Sequence, residues 1–172
     1  DKSIHTGCHN YIPGYTALFE NIRYNVKRLL EIGIGSLENG QMGGINGPLA
    51  NRFKYKTGHS LKCWREYFIN ATIYGIDIYQ HKELDSDRIK TFVADQSNET
   101  DLKNVMDNIN EELDIIIDDG SHCGEHQVYS FMYLYKFLSL KGIYVIEDIQ
   151  PQNIANFKDL SIFPEEFKNY IK

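Results

Sequence analysis

Continuous apolar runs alternate with amphipathic segments along most of the chain. Runs such as Ile115-Ile116-Ile117 are typical of strands that are buried on both faces of a parallel sheet. Amphipathic segments between such strands predict helices packed against the sheet. The 172 residues therefore predict one α/β domain, 1–172, with a mainly parallel sheet and helices on both faces. The five expected strands are 28–33, 71–76, 89–94, 113–118 and 143–147.

Four helices are expected between these strands. A short one should begin at Thr16, a second follows Gly58, a third covers about 99–110, and a fourth ends before Lys141-Gly142. The positions expected to face the core are Leu18, Phe19 and Ile22 in the first, Leu61, Trp64 and Phe68 in the second, Leu102, Val105, Met106 and Ile109 in the third, and Val128, Phe131, Met132, Tyr135 and Leu138 in the fourth.

Two segments show no clean period. Residues 1–27 predict an N-terminal arm followed by the first helix, with an irregular stretch over 1–15. Residues 36–57 form an insertion rich in glycine and asparagine, and a loop of that length is often a lid or a disordered segment. The tail, 149–172, gives no clear assignment.

Composition excludes several classes of protein. A net charge of −6 argues against a nucleic-acid backbone as the main partner, because such partners require a basic face. No apolar run approaches the roughly 18 residues that span a bilayer, and no signal peptide is visible, so no membrane partner is expected. Three cysteines without a C-x-x-C pair predict a reducing, cytoplasmic compartment. A homo-oligomer is compatible with the sequence.

The strand 113–118 runs directly into the polar turn Asp118-Asp119-Gly120-Ser121-His122. A second acidic pair, Glu147-Asp148, ends the next apolar run. Ligands of open α/β sheets bind beyond the carboxyl ends of the strands, so both clusters should face one crevice. Capping of the following helices is the alternative role. Because like charges repel, four clustered acids favour a functional site that binds a cation and moves a proton.

The first strand ends at Glu31-Ile32-Gly33-Ile34-Gly35, where glycines allow a ligand to approach the backbone, although a tight turn explains them equally well. The position three residues after Gly35 is Glu38, so the dinucleotide fingerprint, which requires glycine there, is poorly supported. Asp77 ends the second strand, where an acid can bind ribose hydroxyls. Asp95-Gln96 ends the third, at the expected place of an adenine ring.

Six segments within 28–148 carry a resemblance to a known family. They are LLEIGIG at 29–35, GHSLKCW at 58–64, YGIDI at 74–78, ADQS at 94–97, DIIIDDGSH at 114–122 and KGIYVIED at 141–148. Together they resemble the class I S-adenosylmethionine-dependent methyltransferases. More closely, they resemble the metal-dependent sugar O-methyltransferases that include macrolide-tailoring enzymes and cephalosporin-hydroxylase-like proteins.

The resemblance implies a Rossmann-like fold and methyl transfer from S-adenosylmethionine to a hydroxyl of a small-molecule or glycan acceptor, a sugar or other vicinal diol. Asp119, Glu147 and Asp148 would hold Mg²⁺ or Mn²⁺, and His122 would be the general base. The implied cofactor contacts are Glu31, Gly33, Gly35, Gly58, Ser60, Asp77, Asp95, Gln96 and Asp118. The family fold carries two further strands after the fifth, so the chain is expected to be a fragment or to have a reduced sheet.

Two alternatives stay open from the sequence. His122-Cys123-Gly124-Glu125-His126 fits H-x-x-E-H, a zinc-hydrolase pattern that needs both histidines on one helical face. Gly124 weakens a helix there, which argues against zinc hydrolysis. The other alternative is a non-catalytic nucleotide-binding module, against which the clustered acids argue.

Overall fold

Five parallel strands form a single sheet in the computed structural model, which describes residues 10–37, 56–154 and 157. The strands are β1 Arg28–Ile32, β2 Thr72–Asp77, β3 Ile89–Val93, β4 Leu113–Asp118 and β5 Leu138–Ile146. Their order is β3-β2-β1-β4-β5, and every neighbouring pair is parallel. The prediction of a Rossmann-like, mainly parallel sheet is confirmed.

Helices cover both faces of this sheet. They are α1 Ile12–Phe19, α2 His59–Tyr67, α3 Glu99–Ile109 and α4 Gly124–Leu134, with short 3₁₀ turns at Lys82–Leu84, Tyr135–Phe137 and Pro151–Asn153. Within the described ranges, no helix combines the length and the apolar character that crossing a membrane requires.

The hydrophobic core has two parts, one on each face of the sheet. On one face, α1 and α2 bury Phe19, Leu61 and Phe68, together with Trp64, against the strands. On the other face, α3 and α4 bury a second cluster that includes Leu102 and Leu134. Because β4 has strands on both sides and helices on both faces, its isoleucines are fully buried, as its apolar run predicts.

Helix α3 agrees with its prediction in both its bounds and its buried face. It buries Leu102, Val105, Met106 and Ile109. The Asn98 side chain caps it by accepting hydrogen bonds from two amides of the first turn, those of Thr100 at 2.9 Å and Asp101 at 3.2 Å. Both the cap and the apolar stripe are local features of the sequence, which explains why the sequence predicts this helix well.

The first helix differs from its prediction. It begins at Ile12 rather than Thr16, and it buries Tyr15 and Phe19 while Leu18 is 46% exposed. Pro13 lies in the first turn of this helix, where its missing N–H costs no hydrogen bond. The expected irregular stretch therefore ends before Ile12.

The fourth helix and the fifth strand also differ from their predictions. Helix α4 ends at Leu134, and its buried positions are Gly124, Gln127, Ser130 and Leu134 rather than Val128, Phe131, Met132, Tyr135 and Leu138, which are only partly buried. The reason is chemical, because α4 packs polar side chains against the polar end of β4. Strand β5 begins at Leu138 and crosses Lys141-Gly142 with a shift in register against β4.

Several predicted features lie outside the described residues. These are residues 1–9 of the arm, 38–55 of the insertion and nearly all of the tail after 154. The assignment of 1–172 to one domain stays a prediction.

The order of the strands reverses between β1 and β4, since β2 and β3 extend the sheet on one side and β5 extends it on the other. In open α/β sheets, the crevice outside the carboxyl ends at such a reversal is the usual place for a ligand. The segments that follow β1 and β4 carry Gly33, Gly35, Asp119 and His122 of the predicted site.

Candidate active site

The turn after β1 lies directly against the turn after β4. Gly33 has a φ of +90°, and its amide donates to the carbonyl of Ile76 at 2.9 Å. The amide of Asp119 donates to the carbonyl of Ile32 at 2.9 Å. A Cβ on residue 33 would overlap the carbonyl oxygen of Asp119 and lie 2.7 Å from its carbonyl carbon. Glycine is therefore needed at this position for both its conformation and its size.

Asp77, at the end of β2, holds the glycine turn in place. Its Oδ2 accepts hydrogen bonds from the amides of Ile34 at 2.9 Å and Gly35 at 3.1 Å. Its Oδ1 accepts one from the amide of Tyr79 at 3.0 Å. The predicted ribose-binding acid is thus at the crevice, and in this structure it organises the loop that any cofactor would meet.

Glu31 is fully buried at the end of β1, and two side chains of α2 donate to its carboxylate. Ser60 Oγ lies 2.6 Å from Oε2, and Trp64 Nε1 lies 3.1 Å from Oε1. Gly58 precedes α2 with a φ of +70° and donates to the carbonyl of Ile34 at 3.4 Å. The structure therefore gathers the predicted cofactor residues of β1, the glycine turn and the start of α2.

Gln96 and Asp118 form a buried network behind the acidic turn. The Gln96 amide nitrogen donates to both oxygens of Asp118, at 3.1 and 3.0 Å, and Ser130 Oγ donates to Oδ2 at 2.6 Å. Gln96 Oε1 accepts from the amide of Ser121 at 2.7 Å. Burial raises the pKa of Asp118. In this structure both side chains support the turn, and their contact with a cofactor stays a prediction.

Asp95 stands at the exposed end of β3. Its Oδ1 accepts hydrogen bonds from the Ser97 hydroxyl at 2.7 Å and from the Ser97 amide at 2.8 Å, and these bonds lower the pKa of Asp95. The carboxylate is therefore ionised and accessible at the position predicted to meet an adenine ring.

Asp119, His122 and Asp148 come together at the carboxyl ends of β4 and β5. His122 Nε2 lies 4.0 Å from an oxygen of Asp119 and 3.9 Å from an oxygen of Asp148. His122 Nδ1 is buried with no hydrogen-bond partner among the described residues, so Nε2 is the nitrogen that faces the carboxylates. His122 and Asp148 both have left-handed backbones, with φ of +55° and +52°. Such conformations are uncommon outside glycine and often occur at functional sites.

These three residues form a donor set suited to a divalent cation. Each offers one ligand atom, and the three atoms lie within 4.8 Å of one another. Carboxylate oxygens are the donors that Mg²⁺ and Mn²⁺ prefer, so Asp119 and Asp148 suit such a cation, whereas imidazole is a ligand typical of other metals. The predicted ligands Asp119 and Asp148 are thus brought together, and the predicted base lies in the same group. Glu147, the third predicted ligand, is 4% exposed and lies beside Asp148 but outside this group.

Two tyrosines hold the acidic pair, Tyr11 directly before α1 and Tyr15 within it, a feature that the sequence did not predict. The Tyr15 hydroxyl donates to Glu147 Oε1, and the Tyr11 hydroxyl donates to Asp148 Oδ1. Burial and the bond to Asp148 raise the pKa of Tyr11 to about 12, and burial together with the charge of Glu147 raises the pKa of Tyr15 further. Both hydroxyls therefore keep their protons near neutral pH. No local pattern in the sequence connects these tyrosines with the acids, which lie 137 and 132 residues further along the chain.

The zinc-hydrolase pattern is not assembled. His122 precedes α4 and has a left-handed backbone, so it does not share a helical face with His126. The Nδ1 atom of His126 instead lies 3.1 Å from Ser121 Oγ. Among the described residues, the group that could hold a metal contains neither Glu125 nor His126. This alternative is not supported.

Comparisons with known proteins give the chain a set of relatives, although no protein-family model matches it. The 8-demethyl-8-alpha-L-rhamnosyl tetracenomycin-C 2'-O-methyltransferase of Streptomyces olivaceus is 36% identical over 144 residues, which are 84% of this chain and 34% of the relative. Demethylmacrocin O-methyltransferase of Streptomyces fradiae is 35% identical over 141 residues, 82% of this chain and 32% of the relative. The chain is therefore similar to sugar O-methyltransferases over most of its own length. It spans about a third of the length of these relatives.

A solved structure from this family supports the same conclusion about the fold. The MycE methyltransferase from the mycinamycin biosynthetic pathway, in complex with Mg, SAH and mycinamycin VI, superimposes with a TM-score of 0.67 at 33% identity. The match covers 82% of this chain and 34% of that one. The resemblance to sugar O-methyltransferases, predicted from the six segments, is confirmed. The roles of individual residues stay predictions.

Proposed function

We propose that the chain catalyses the transfer of a methyl group from S-adenosylmethionine to a sugar hydroxyl, with Mg²⁺ or Mn²⁺ bound beside the acceptor. The observation that carries this proposal is the position of His122 Nε2, 4.0 Å from Asp119 and 3.9 Å from Asp148, at the reversal of the strand order. The printed activities of the relatives and the Mg and SAH in the MycE structure support it.

His122 would act as the general base. Methyl transfer forms a bond between the acceptor oxygen and the methyl carbon as the bond from that carbon to sulfur breaks. The hydroxyl proton passes to Nε2 of His122, and SAH leaves as the second product. Histidine suits this role because it accepts protons near neutral pH. Orientation of the acceptor against the methyl carbon can contribute up to ~7–11 kcal/mol to lowering the barrier.

Asp119, Glu147 and Asp148 would hold the cation, and they would do so through carboxylate oxygens. When bound, the cation would lower the pKa of the acceptor hydroxyl and orient it. Glu147 is held by Tyr15 and adjoins Asp148, so it would supply a further carboxylate oxygen.

The cofactor would lie along the ends of β1, β2 and β3. Glu31, Asp77 and Asp95 would supply carboxylate contacts, and Gly33 and Gly35 would let the backbone approach closely. The proposed cofactor site has four further residues, which are Gly58, Ser60, Gln96 and Asp118. Ser60 would act by orienting Glu31. Gln96 and Asp118 would act by supporting the turn after β4. A non-catalytic nucleotide-binding module would not need the carboxylate and imidazole group. We also propose that the protein is cytoplasmic and that its acceptor is a small molecule carrying a sugar.

The direct experiment is incubation of the protein with labelled S-adenosylmethionine, Mg²⁺ and a panel of glycosides. We expect label in a glycoside, loss of turnover on chelation, recovery with Mg²⁺ or Mn²⁺ but not Zn²⁺, and binding of SAH that survives chelation. Binding of NADH without binding of S-adenosylmethionine would refute the proposal.

Glu31→Gln should weaken SAH binding by roughly 10–100-fold, because a hydrogen bond to a charged group contributes ~1.5–3 kcal/mol. Trp64 is the single tryptophan of the chain, and its indole donates to Glu31, so its fluorescence reports binding at this carboxylate. Glu66→Gln is the matched control, because Glu66 is an exposed carboxylate on α2, the helix that carries Trp64. It should leave the SAH affinity unchanged. Equal affinities in the two variants would remove Glu31 from the cofactor site.

A further inference from the structure

Two tyrosines four residues apart connect the first helix to the acidic pair at the end of β5. Residues at this spacing lie one turn apart on the same side of a helix. Tyr15 reaches Glu147 and Tyr11 reaches Asp148, so neighbouring acids receive hydroxyl donors from neighbouring turns. Because both the tyrosines and the acids are neighbours, the two hydrogen bonds form one structural unit.

The Tyr15 ring is fixed on two sides. It stacks on Phe19 with ring centroids 5.2 Å apart and meets Trp64 edge-on at 5.0 Å. Its side chain is buried, which limits its hydroxyl to a narrow range of directions. Trp64 donates in turn to Glu31, so the same aromatic cluster supports one acid on the cofactor side and one on the cation side.

Tyr11 holds Asp148 through two groups. Its hydroxyl donates to the carboxylate and accepts a hydrogen bond from the Asp148 amide at 3.3 Å. Asp148 has a φ of +52°, a conformation that costs of order 1–3 kcal/mol unless its surroundings hold it. The Tyr11 ring meets Tyr15 edge-on at 6.4 Å, so the position of one tyrosine depends on that of the other.

We propose that Tyr11 and Tyr15 are positioning residues that orient Asp148 and Glu147 to receive the divalent cation. This inference rests on the proposed function only in taking these acids as cation ligands. Adjacent carboxylates repel each other and would otherwise turn apart when no cation is present. Hydroxyl donors offset part of that repulsion and select one orientation for each side chain. Groups that orient metal ligands typically change metal affinity or activity by 10–100-fold when they are removed.

The test is a titration of Mn²⁺ into Tyr11→Phe, Tyr15→Phe and the unchanged protein, with free Mn²⁺ measured by electron paramagnetic resonance. Each variant keeps its ring and loses only the hydroxyl. We expect Mn²⁺ affinity to fall by roughly 10–100-fold in each. The Mg²⁺ concentration for half-maximal turnover should rise by the same factor, while SAH affinity stays unchanged.

Tyr67→Phe is the matched control, because it removes a tyrosine hydroxyl that donates to an exposed carboxylate, that of Glu20, at 2.9 Å. It should leave Mn²⁺ affinity unchanged. If Tyr15→Phe fails to fold, Tyr11→Phe carries the test alone, since that ring is only partly buried. Unchanged or tighter Mn²⁺ binding in a folded Tyr11→Phe variant would overturn the inference.

Asp148→Asn separates this inference from the proposed function. If Asp148→Asn loses Mn²⁺ binding and the tyrosine variants keep it, the positioning role is wrong while the cation site stands. If Asp148→Asn binds Mn²⁺ as tightly as the unchanged protein, the proposed cation site is wrong, and the tyrosine inference falls with it.

Discussion

Replacing His122 with alanine is expected to lower turnover by roughly 10²–10⁴-fold, the usual range for a positioned proton acceptor. Its Nε2 atom is the nitrogen that faces Asp119 and Asp148, so no second imidazole is placed to take the proton in this group. The measurement is turnover at saturating S-adenosylmethionine, acceptor and Mg²⁺. The affinity for SAH should be unchanged, because the proposed cofactor contacts come from other strands.

The pH dependence provides a second readout for His122. The base must be unprotonated to accept a proton, so turnover should fall at acid pH. This acid limb of the pH profile should disappear in His122→Ala. Because residue 122 has a left-handed backbone, His122→Asn is a useful partner variant, since asparagine adopts this conformation readily.

His126→Ala is the matched control for the base. This histidine lies four residues further along and contacts Ser121, outside the group that could hold a metal. It should retain most of the activity and the same pH limb. Near-normal turnover in His122→Ala, with the acid limb intact, would show that the proton leaves by another route.

Gly33→Ala is expected to lower the free energy of unfolding by about 2–6 kcal/mol. A left-handed backbone costs a non-glycine residue ~1–3 kcal/mol, and forcing an extra carbon into a packed site adds ~1–3 kcal/mol. The new carbon would overlap the carbonyl oxygen of Asp119, so the turns after β1 and β4 would have to separate. Denaturant unfolding measures the loss, and Mn²⁺ affinity should fall with it because Asp119 moves.

Gly14→Ala is the matched substitution. Gly14 lies inside α1, and a Cβ there would meet nothing within 4 Å. Alanine should stabilise the helix by about 0.5–1 kcal/mol, the opposite sign to Gly33→Ala. If both variants shifted stability by the same small amount, the close contact between the two turns would not be a constraint on the fold.

The sequence predicted the parts of the fold that local patterns determine. The apolar run at β4 and the capped, strongly periodic α3 were identified because burial on two faces and a helical stripe each leave a distinct pattern. It did not predict the start of α1, because residues 1–15 show no clean period. Nor did it predict the buried face of α4, where Gln127 and Ser130 replace the apolar residues expected there. That face depends on polar groups from other strands.

In the candidate site too, some residues could be predicted from the sequence and others could not. Asp119, His122 and Asp148 were predicted together because parallel strands end at one edge of the sheet, so acids that follow β4 and β5 must be neighbours. Tyr11 and Tyr15 were not assigned to it, because their partners lie 137 and 132 residues further along the chain. Contacts at that separation leave no local pattern when a single sequence is considered.

The β4 strand, which leads into the site, is also a segment prone to aggregation before the chain has folded. Leu113–Asp118 contains three consecutive isoleucines, a segment prone to cross-β association whenever it is exposed, and parallel sheets form slowly because their pairings are distant in sequence. Charged residues that flank such segments act as gatekeepers against aggregation. Asp114 precedes the isoleucines and Asp118-Asp119 follows them. The acids at the end of this strand therefore keep unfolded chains apart before they take any part in a folded site.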